Sequence, residues 1–438
     1  MLFDKLKKLN SIPMHMPGHK RNTALLGDKL PYDIDITEIN GFDNLHSPEG
    51  ILKSLNDKIN SIYNAKESFA LVNGSTVGII AAVSALVKQG DTVLVARNCH
   101  KSVYNAVALA KANVNYIQPD FDKYGIAKAI SPENVKNALT SDTKLLILTS
   151  PTYEGVESDI DKICEIAHNN NTLVLLDAAH GAHLFDSYHS ADIVIRSLHK
   201  SLPALTQCAV ANIYGDRADA KAFAVMLSVF ETSSPSYVLL ASIDECCDFI
   251  LNNKSLFDEY YERLNRFYSE TRPEKLRLLR FDDSGKLVVF TGCTDILGFK
   301  LADILRNEYN TEVEWANKDY ILCVTSVCDT QKTFDSFSKA ITEIDSELNN
   351  KDFTLNIISE LPKKVREAYE TGETESYNLI DCIGKVSAEY IWAYPPGIPL
   401  IVPGEELSRE IIEFFKSDTE TSFCSTFGEF PEKIRCQH

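Results

Sequence analysis

Strand-length apolar runs alternate with helical patterns between about residues 51 and 250. Two intervening segments, Gly78–Lys88 and Lys101–Ala112, carry apolar residues at helical spacing. Continuous apolar strands that alternate with helices are typical of a sheet covered on both faces. The chain therefore predicts an α/β fold with a large, doubly wound, mostly parallel sheet. The runs are Thr92–Ala96, Val114–Ile117, Leu145–Thr149, Leu173–Leu176, Ile193–Ile195 and Ala209–Tyr214.

The pattern changes at both ends of this region. Residues 1–50, rich in Pro, Gly, His and Asp, predict an N-terminal arm before a large domain at 51–265. Tyr237–Phe267 predicts one long helix that leads to a smaller α/β domain at 266–350, and residues 351–438 predict a C-terminal segment or domain. The expected elements of the smaller domain are Lys286–Phe290, Ala302–Glu308, Tyr320–Thr325 and Thr333–Leu348.

Composition narrows the class of protein. The 438 residues are 44% hydrophobic and 24% charged, as in globular proteins, and predict two to three domains. No apolar run approaches the ~20 residues that a membrane span needs, and the N-terminus does not resemble a signal peptide. A net charge of −18 disfavours nucleic acid as a partner. Eleven scattered cysteines without a CxxC pair indicate reduced thiols and a cytoplasmic location.

A glycine-rich turn precedes a helical pattern at residues 73–78. Gly74, Ser75 and Thr76 would offer free backbone N–H groups and two hydroxyls at the positive end of the helix dipole. This arrangement suits a phosphate group. It lacks the lysine of a P-loop and the spacing of a dinucleotide fingerprint, and plain N-capping is the alternative.

An acidic residue ends the apolar run Leu173–Leu176. Asp177 there is suited to accept a hydrogen bond from a ring nitrogen and to keep that nitrogen protonated. His180, in the following turn, is a further candidate contact. Asp177 as the cap of the next helix is the alternative.

Three polar side chains follow the run Ile193–Ile195. Ser197 and His199 are expected to point the same way by strand alternation and to reach a phosphate. Lys200 then requires a turn. A lysine at a strand end beside hydroxyls and an imidazole is better explained as an amine that forms a Schiff base than as a solvated charge.

The order of these features favours pyridoxal 5'-phosphate as the cofactor. This cofactor needs a phosphate anchor, an acid at its pyridine nitrogen and a lysine at its aldehyde. The separation of Asp177 and Lys200 fits an aspartate-aminotransferase-like (fold type I) enzyme. The other candidate contacts are His100 over the ring, Ser150 or Thr152 near the phenolic oxygen, and Thr232 at the phosphate.

Several longer motifs resemble the bacterial Orn/Lys/Arg decarboxylase family of fold type I, along nearly the whole chain and in the family's order. The chain begins without the receiver-like domain of the large members, which implies the short form. Ala178 departs from the polar residue that relatives often carry. The motifs are Pro13–Lys20, Asp35–Glu38, Asn73–Gly78, Arg97–Ser102, Asp177–His183, Ser197–Lys200, Thr232–Tyr237 and Tyr394–Glu405.

The resemblance implies a role for each matched residue. Lys200 would carry the Schiff base, Asp177 would pair with the pyridinium nitrogen and His100 would stack on the ring. The phosphate would be held by Ser75, Thr76, Ser197 and His199, with Thr232 from a second subunit. A homodimer or larger homo-oligomer is the expected assembly.

The implied reaction is decarboxylation of a basic L-amino acid. The α-carboxylate must stand perpendicular to the ring in a dry site, and His199 or Lys200 would return a proton to Cα. Acceptors for the basic side chain are Glu405, Glu406 and Asp35, each with a solvated surface acid as the alternative. The short family members favour arginine, then lysine or ornithine.

Three other classes are weighed against this interpretation. An aminotransferase or aldolase shares the fold, but no arginine of the small domain stands in a recognisable carboxylate-binding motif. His15/His19 and His180/His183 have spacings that metal ligands use, although the family motifs account for both pairs, so no metal is expected. A non-catalytic binding homologue predicts loss of the lysine or the aspartate, and both are present.

Overall fold

The structure is a computed structural model that describes residues 1–355, 361–370, 372–393, 397–417, 423–428, 430 and 432–437. Helices and strands alternate through the first two thirds of the chain, as the sequence predicts. The helices are α1 Leu2–Lys7, α2 Thr23–Leu26, α3 Ile51–Tyr63, α4 Gly74–Leu86, α5 Lys101–Leu109, α6 Pro132–Ala138, α7 Ile160–Asn169, α8 Leu198–Ser201, α9 Ala220–Phe230, α10 Tyr237–Asn252, α11 Lys254–Glu270, α12 Gly298–Tyr309, α13 Gln331–Glu347 and α14 Arg409–Ser417.

The strands form four sheets among the described residues. They are β1 Glu67–Leu71, β2 Thr92–Ala96, β3 Asn113–Ile117, β4 Thr143–Thr149, β5 Leu173–Asp177, β6 Ile193–Ser197, β7 Ala209–Ile213, β8 Arg277–Leu279, β9 Lys286–Phe290, β10 Trp315–Ala316, β11 Tyr320–Val324, β12 Thr374–Asn378, β13 Val386–Ser387, β14 Ile391–Ala393, β15 Pro399–Ile401, β16 Phe423–Ser425 and β17 Lys433–Gln437.

The large sheet has seven strands in the order β1-β7-β6-β5-β4-β2-β3. Strands β2 and β3 are parallel, as are β5 and β6, whereas β7 runs antiparallel to both β1 and β6. The predicted α/β class is confirmed. Strand β1 is an element that the apolar pattern did not predict, because only its last three residues are apolar, after the polar Glu67 and Ser68.

The contacts divide the chain into two compact units. The first comprises residues 1–87, 144–146 and 160–258, and the second comprises 88–143, 147–159 and 259–438. The predicted boundaries at 50, 265 and 350 remain predictions.

In the first unit, helix α4 lies deep in the core. It packs on β1, β6, β7 and α9, and it is apolar nearly all round, as is typical of a helix that is mostly buried. A Cβ on Gly78 would lie 2.8 Å from Leu71 Cδ1 and 3.1 Å from Ile195 Cδ1. The missing side chain therefore lets α4 approach the sheet closely, which places its N-terminus near the ends of β1 and β6.

The second unit contains an antiparallel sheet in the order β10-β11-β9-β8, with α12 against β10 and β11. The four elements expected between 266 and 350 are present as β9, α12, β11 and α13. Two three-stranded sheets follow, β12-β17-β13 and β15-β14-β16. Their apolar cluster includes Ile391, Ile401, Ile412 and Ile434.

One prediction about the helices was wrong. Tyr237–Phe267 is not a single helix but two, because α10 ends at Asn252 and α11 begins at Lys254. Asn253 between them has φ −131° and ψ 40°, and its side-chain amide donates to the carbonyl of Phe249. Asparagine competes in this way for helix carbonyls, so it ends helices that an apolar pattern alone would continue.

Candidate active site

The Gly-Ser-Thr turn stands at the N-terminus of α4. Gly74 has a φ of +75°, a conformation that glycine adopts without steric cost. The hydroxyls of Ser75 and Ser197 form a hydrogen bond, so the turn and the end of β6 are in direct contact. Thr76 follows within the first helical turn, whose N–H groups have no acceptor inside the helix. Free donors, hydroxyls and the positive helix end make a suitable phosphate site.

Thr232 lies next to the same turn within this chain. Its backbone N–H donates to Asn73 Oδ1 at 3.2 Å. Its hydroxyl accepts the N–H of Ser234 at 3.1 Å, and its carbonyl accepts from His46 Nε2 at 3.0 Å. The predicted phosphate contact through Thr232 remains a prediction.

Asp177 ends β5 and is only 3% exposed. The backbone N–H of Ala179 donates to its Oδ1 at 3.1 Å. Burial raises the pKa of Asp177, while the charge of Lys200 and the N–H of Ala179 oppose that rise. A positively charged ring nitrogen would stabilise the ionised form that burial penalises.

Lys200 lies on the short helix α8, directly after β6, so the turn expected at this lysine is present. Its Nζ is 2.9 Å from Nε2 of the buried His180. The lysine is therefore held on the same sheet edge as Asp177, whose pKa it affects.

The prediction that strand alternation sets the direction of His199 was wrong. Strand β6 ends at Ser197 and residues 198–201 are helical, so alternation does not set the direction of His199. Its Nδ1 donates to the carbonyl of Cys208 at 3.0 Å, which fixes the proton on that nitrogen and leaves Nε2 as the free position. Burial lowers the pKa of His199, as does the charge of Lys200, against the opposing hydrogen bond to Cys208.

The other ring candidates belong to the second unit. His100 caps the N-terminus of α5, where its Nδ1 accepts the N–H of Ser102 at 3.2 Å. Ser150 is fully buried and its hydroxyl accepts the N–H of Ser158 at 3.2 Å. The Thr152 hydroxyl accepts the N–H of Val156 at 3.2 Å. Their predicted contacts with the cofactor stay predictions.

Two of the three acids expected to bind substrate have basic side chains as partners near the surface. Asp35 Oδ2 is 3.0 Å from His19 Nε2, and Glu406 Oε2 is 3.5 Å from Lys363 Nζ. Both carboxylates are partly exposed, so the alternative of a surface acid remains open for them. Tyr394, Pro395 and Pro396, the start of the motif that ends at Glu405, lie outside the described residues.

Glu405 is instead buried, at 1% exposure, and accepts from Arg97 Nη2 at 3.1 Å and from the Val402 N–H at 2.7 Å. Although burial lowers the pKa of Arg97, the carboxylate of Glu405 and two tyrosines raise it above its usual value. These contacts favour a structural role for Glu405. Sequence reasoning assigned no role to Arg97, although a charged residue directly after the apolar run Thr92–Ala96 was a signal.

The three-residue acidic group Asp244, Glu245 and Asp248 is the grouping with metal-ligand distances in the part of the chain that the structure describes. The N-terminal amine and Lys58 already pair with Asp244, at 3.2 Å for the amine. The group is therefore explained by ion pairs. No helix within the described ranges is long and apolar enough to span a membrane.

The fold defines a class of protein. The architecture is that of fold type I pyridoxal-phosphate enzymes. The serine palmitoyltransferase of Sphingomonas wittichii matches with a TM-score of 0.55 and 13% identity, over 66% of this chain and 75% of that chain. The constitutive lysine decarboxylase of E. coli matches with a TM-score of 0.83 and 18% identity, over 100% of this chain and 81% of that one.

The sequence comparisons give the family within that class. Residues 5–280 match the Orn/Lys/Arg decarboxylase major domain, and residues 346–434 match the C-terminal domain of the same family. An arginine decarboxylase of Bacillus subtilis is 31% identical over 457 residues, which cover 94% of this chain and 92% of that relative. The chain belongs to the Orn/Lys/Arg decarboxylase family, and it is a decarboxylase.

Proposed function

We propose that this chain decarboxylates a basic L-amino acid with pyridoxal 5'-phosphate, and that arginine is its preferred substrate. The observation that carries the proposal is the position of Lys200, at the end of β6, 2.9 Å from His180 and close enough to the buried Asp177 to affect its pKa. The preference for arginine is supported by relatives of about 30% identity that are named arginine decarboxylases.

The residues present fit this cofactor. Ser75 and Ser197 offer hydroxyls at the N-terminus of α4, where a phosphate is stabilised. Asp177 would hold the ring nitrogen in its protonated form. When bound, the cofactor supplies an electron sink for the bond to the α-carboxylate.

The chain's own groups would do the remaining work. Lys200 would anchor the cofactor's aldehyde carbon until substrate replaces it, and its amine would then carry the proton that is returned to Cα. His199 is less suited to that step because its Nδ1 proton is committed to the carbonyl of Cys208. His180, in contact with Lys200 Nζ, would orient the amine.

We further propose a homodimer or larger homo-oligomer. The N-terminal arm exposes apolar side chains that a partner would cover, with Met14 89% and Leu25 78% exposed. Sedimentation analysis tests this directly, and a monomer at all concentrations would contradict it.

The reaction and its substrate can be tested in one experiment. The purified protein, loaded with pyridoxal phosphate, is given arginine, lysine and ornithine, and both carbon dioxide and keto acid are measured. We expect carbon dioxide release, fastest with arginine, and no stoichiometric keto acid. Keto acid without carbon dioxide would instead identify an aminotransferase, and faster release from lysine would overturn the substrate preference alone.

A further inference from the structure

A buried carboxylate lies beside the backbone that leads into the Gly-Ser-Thr turn. Glu231 directly follows α9 and is 5% exposed. Its Oε1 accepts the backbone N–H of Val72 at 2.7 Å, and Val72 is the first residue after β1. A buried carboxylate costs free energy unless hydrogen-bond donors satisfy it. The side chain of Glu231 therefore ties the end of α9 to the end of β1.

The backbone around Asn73 is held by two further hydrogen bonds. The N–H of Gly74 donates to the carbonyl of Gln207 at 3.0 Å. The N–H of Thr232, next to Glu231 in the chain, donates to Asn73 Oδ1 at 3.2 Å. The segment that leads into α4 is therefore fixed from more than one side.

The position of this segment decides where the free donors of α4 lie. The N–H groups of Ser75 and Thr76 belong to the first helical turn and have no acceptor within the helix. They follow Gly74 directly, so their position depends on the backbone that Glu231 holds. Donors at a helix N-terminus bind an anion best when their geometry is fixed before the ligand arrives.

The charge of Glu231 disfavours it as a ligand of a phosphate, because two anions repel each other. Burial raises the pKa of Glu231, while the N–H groups of Val72 and Asn73 and the charge of His46 oppose that rise. His46 is also held in place, since its Nε2 lies 3.0 Å from the carbonyl oxygen of Thr232. These surroundings suit a carboxylate that acts as a fixed acceptor for backbone donors.

We propose that Glu231 is a positioning residue of the phosphate site. Its carboxylate holds the backbone at Val72, so that the first turn of α4 presents its N–H groups and hydroxyls to a phosphate. The inference rests on the proposed function, because it takes the phosphate to be that of pyridoxal 5'-phosphate.

Inorganic phosphate tests the site without the rest of the cofactor. It is titrated into the cofactor-free protein and binding is measured by calorimetry. Glu231→Met removes the acceptor but keeps the length of the side chain. We expect it to weaken phosphate binding at least about tenfold, as when a supporting partner of a metal ligand is removed. Glu231→Asp, whose shorter side chain withdraws the carboxylate from Val72, provides a second test should Glu231→Met unfold.

Asp192→Leu is the matched control. Asp192 is a buried acid of the same unit, 2% exposed, and it also accepts a backbone N–H, that of Val174, at 2.7 Å. It directly precedes β6, at the end of the strand opposite Ser197. Its loss should lower stability but leave phosphate binding at the parent's value. Thermal unfolding establishes that each variant is folded.

Pyridoxal separates positioning of the phosphate site from a general structural role. It has the ring and aldehyde of pyridoxal 5'-phosphate but lacks the phosphate. Both compounds are titrated into the cofactor-free protein and followed by absorbance. Glu231→Met should lose affinity for pyridoxal 5'-phosphate and keep that for pyridoxal. A merely structural role would lower both affinities by the same factor.

The inference is overturned if a folded Glu231 variant binds phosphate and pyridoxal 5'-phosphate as the parent does. It is also overturned if pyridoxal is lost by the same factor, or if Asp192→Leu weakens phosphate binding equally. A parent that binds neither phosphate nor pyridoxal 5'-phosphate would contradict the proposed function and this inference together. The expected affinities without carbon dioxide release would contradict the proposed reaction alone.

Discussion

Burial acts in opposite directions on the pKa values of Asp177 and His199, two ionisable side chains that the charge of Lys200 reaches. It raises that of Asp177 and lowers that of His199, and so favours the neutral form of each. A protonated ring nitrogen would restore the charge on Asp177, and a phosphate would favour a protonated His199. Both effects would suit the proposed cofactor, which carries both groups.

Asp177→Asn tests the partner of the ring nitrogen. The amide has the same volume but no charge, so decarboxylation should fall by roughly 100-fold or more, as when one charge-stabilising group is removed from other active sites. Carbon dioxide release under saturating cofactor measures the loss. Asp57→Asn, at an exposed acid on α3 that pairs with Lys53, is the matched control. Full activity in Asp177→Asn would refute the assigned role.

His199 should make the stability of the cofactor-free protein depend on pH. Its folded pKa lies below the ordinary 6.5, so the folded state prefers the neutral imidazole. The stabilisation is present above pH 6.5 and is lost as pH falls through the lowered folded value. Thermal midpoints between pH 8 and pH 5 should therefore drop more steeply for the parent than for His199→Asn. Parallel profiles would contradict the burial argument.

Candidate residues could be chosen from the sequence where an ionisable side chain follows a predicted strand. Asp177 and Lys200 were found because each follows an apolar run. The direction of His199 was not, because the sequence does not show that β6 stops at Ser197. The burial of Glu405 depends on Arg97, 308 residues away, and no local pattern reports that contact.

At the scale of elements, the position of α4 brings the Gly-Ser-Thr turn to the end of β6. Its apolar surface is predictable from the sequence, as are the bounds of β2 and β9. Strand β1 was missed because only its last three residues are apolar. The break at Asn253 was missed because the apolar spacing continues through it.

Gly78→Val tests the close approach of α4 to the sheet. The new side chain would meet Leu71 and Ile195, and overpacking of this kind costs about 1–3 kcal/mol. Ala85→Val, at a partly exposed position on the same helix, introduces the same side chain at ~0.5 kcal/mol. Urea unfolding compares the two. Equal free energies of unfolding would show that the contact at Gly78 does not limit packing.

At the scale of the whole molecule, contacts between distant parts of the chain hold the second unit together. Arg97, after β2, binds the carbonyls of Pro399 and Leu400 as well as the carboxylate of Glu405. One buried guanidinium thus ties the end of β2 to the C-terminal sheets.

Glu405→Gln should destabilise the protein by about 3–5 kcal/mol, because it leaves the Arg97 charge buried without its partner. Glu406→Gln alters the neighbouring, partly exposed acid and should cost about 1 kcal/mol or less. Denaturant unfolding gives both values, and the KM for arginine is measured beside them. A large rise in KM for Glu405→Gln with unchanged stability would support the original substrate assignment over the structural one.

The most direct test of the proposed reaction is carbon dioxide release from carboxyl-labelled arginine by the parent, Lys200→Ala and Lys221→Ala. Lys221 is an exposed lysine on α9 and serves as the control. We predict release by the parent and by Lys221→Ala, and a loss of about 1,000-fold or more in Lys200→Ala, as when a covalent catalyst is removed. Undiminished release by folded Lys200→Ala, or no release by the cofactor-loaded parent from any basic amino acid, would contradict it.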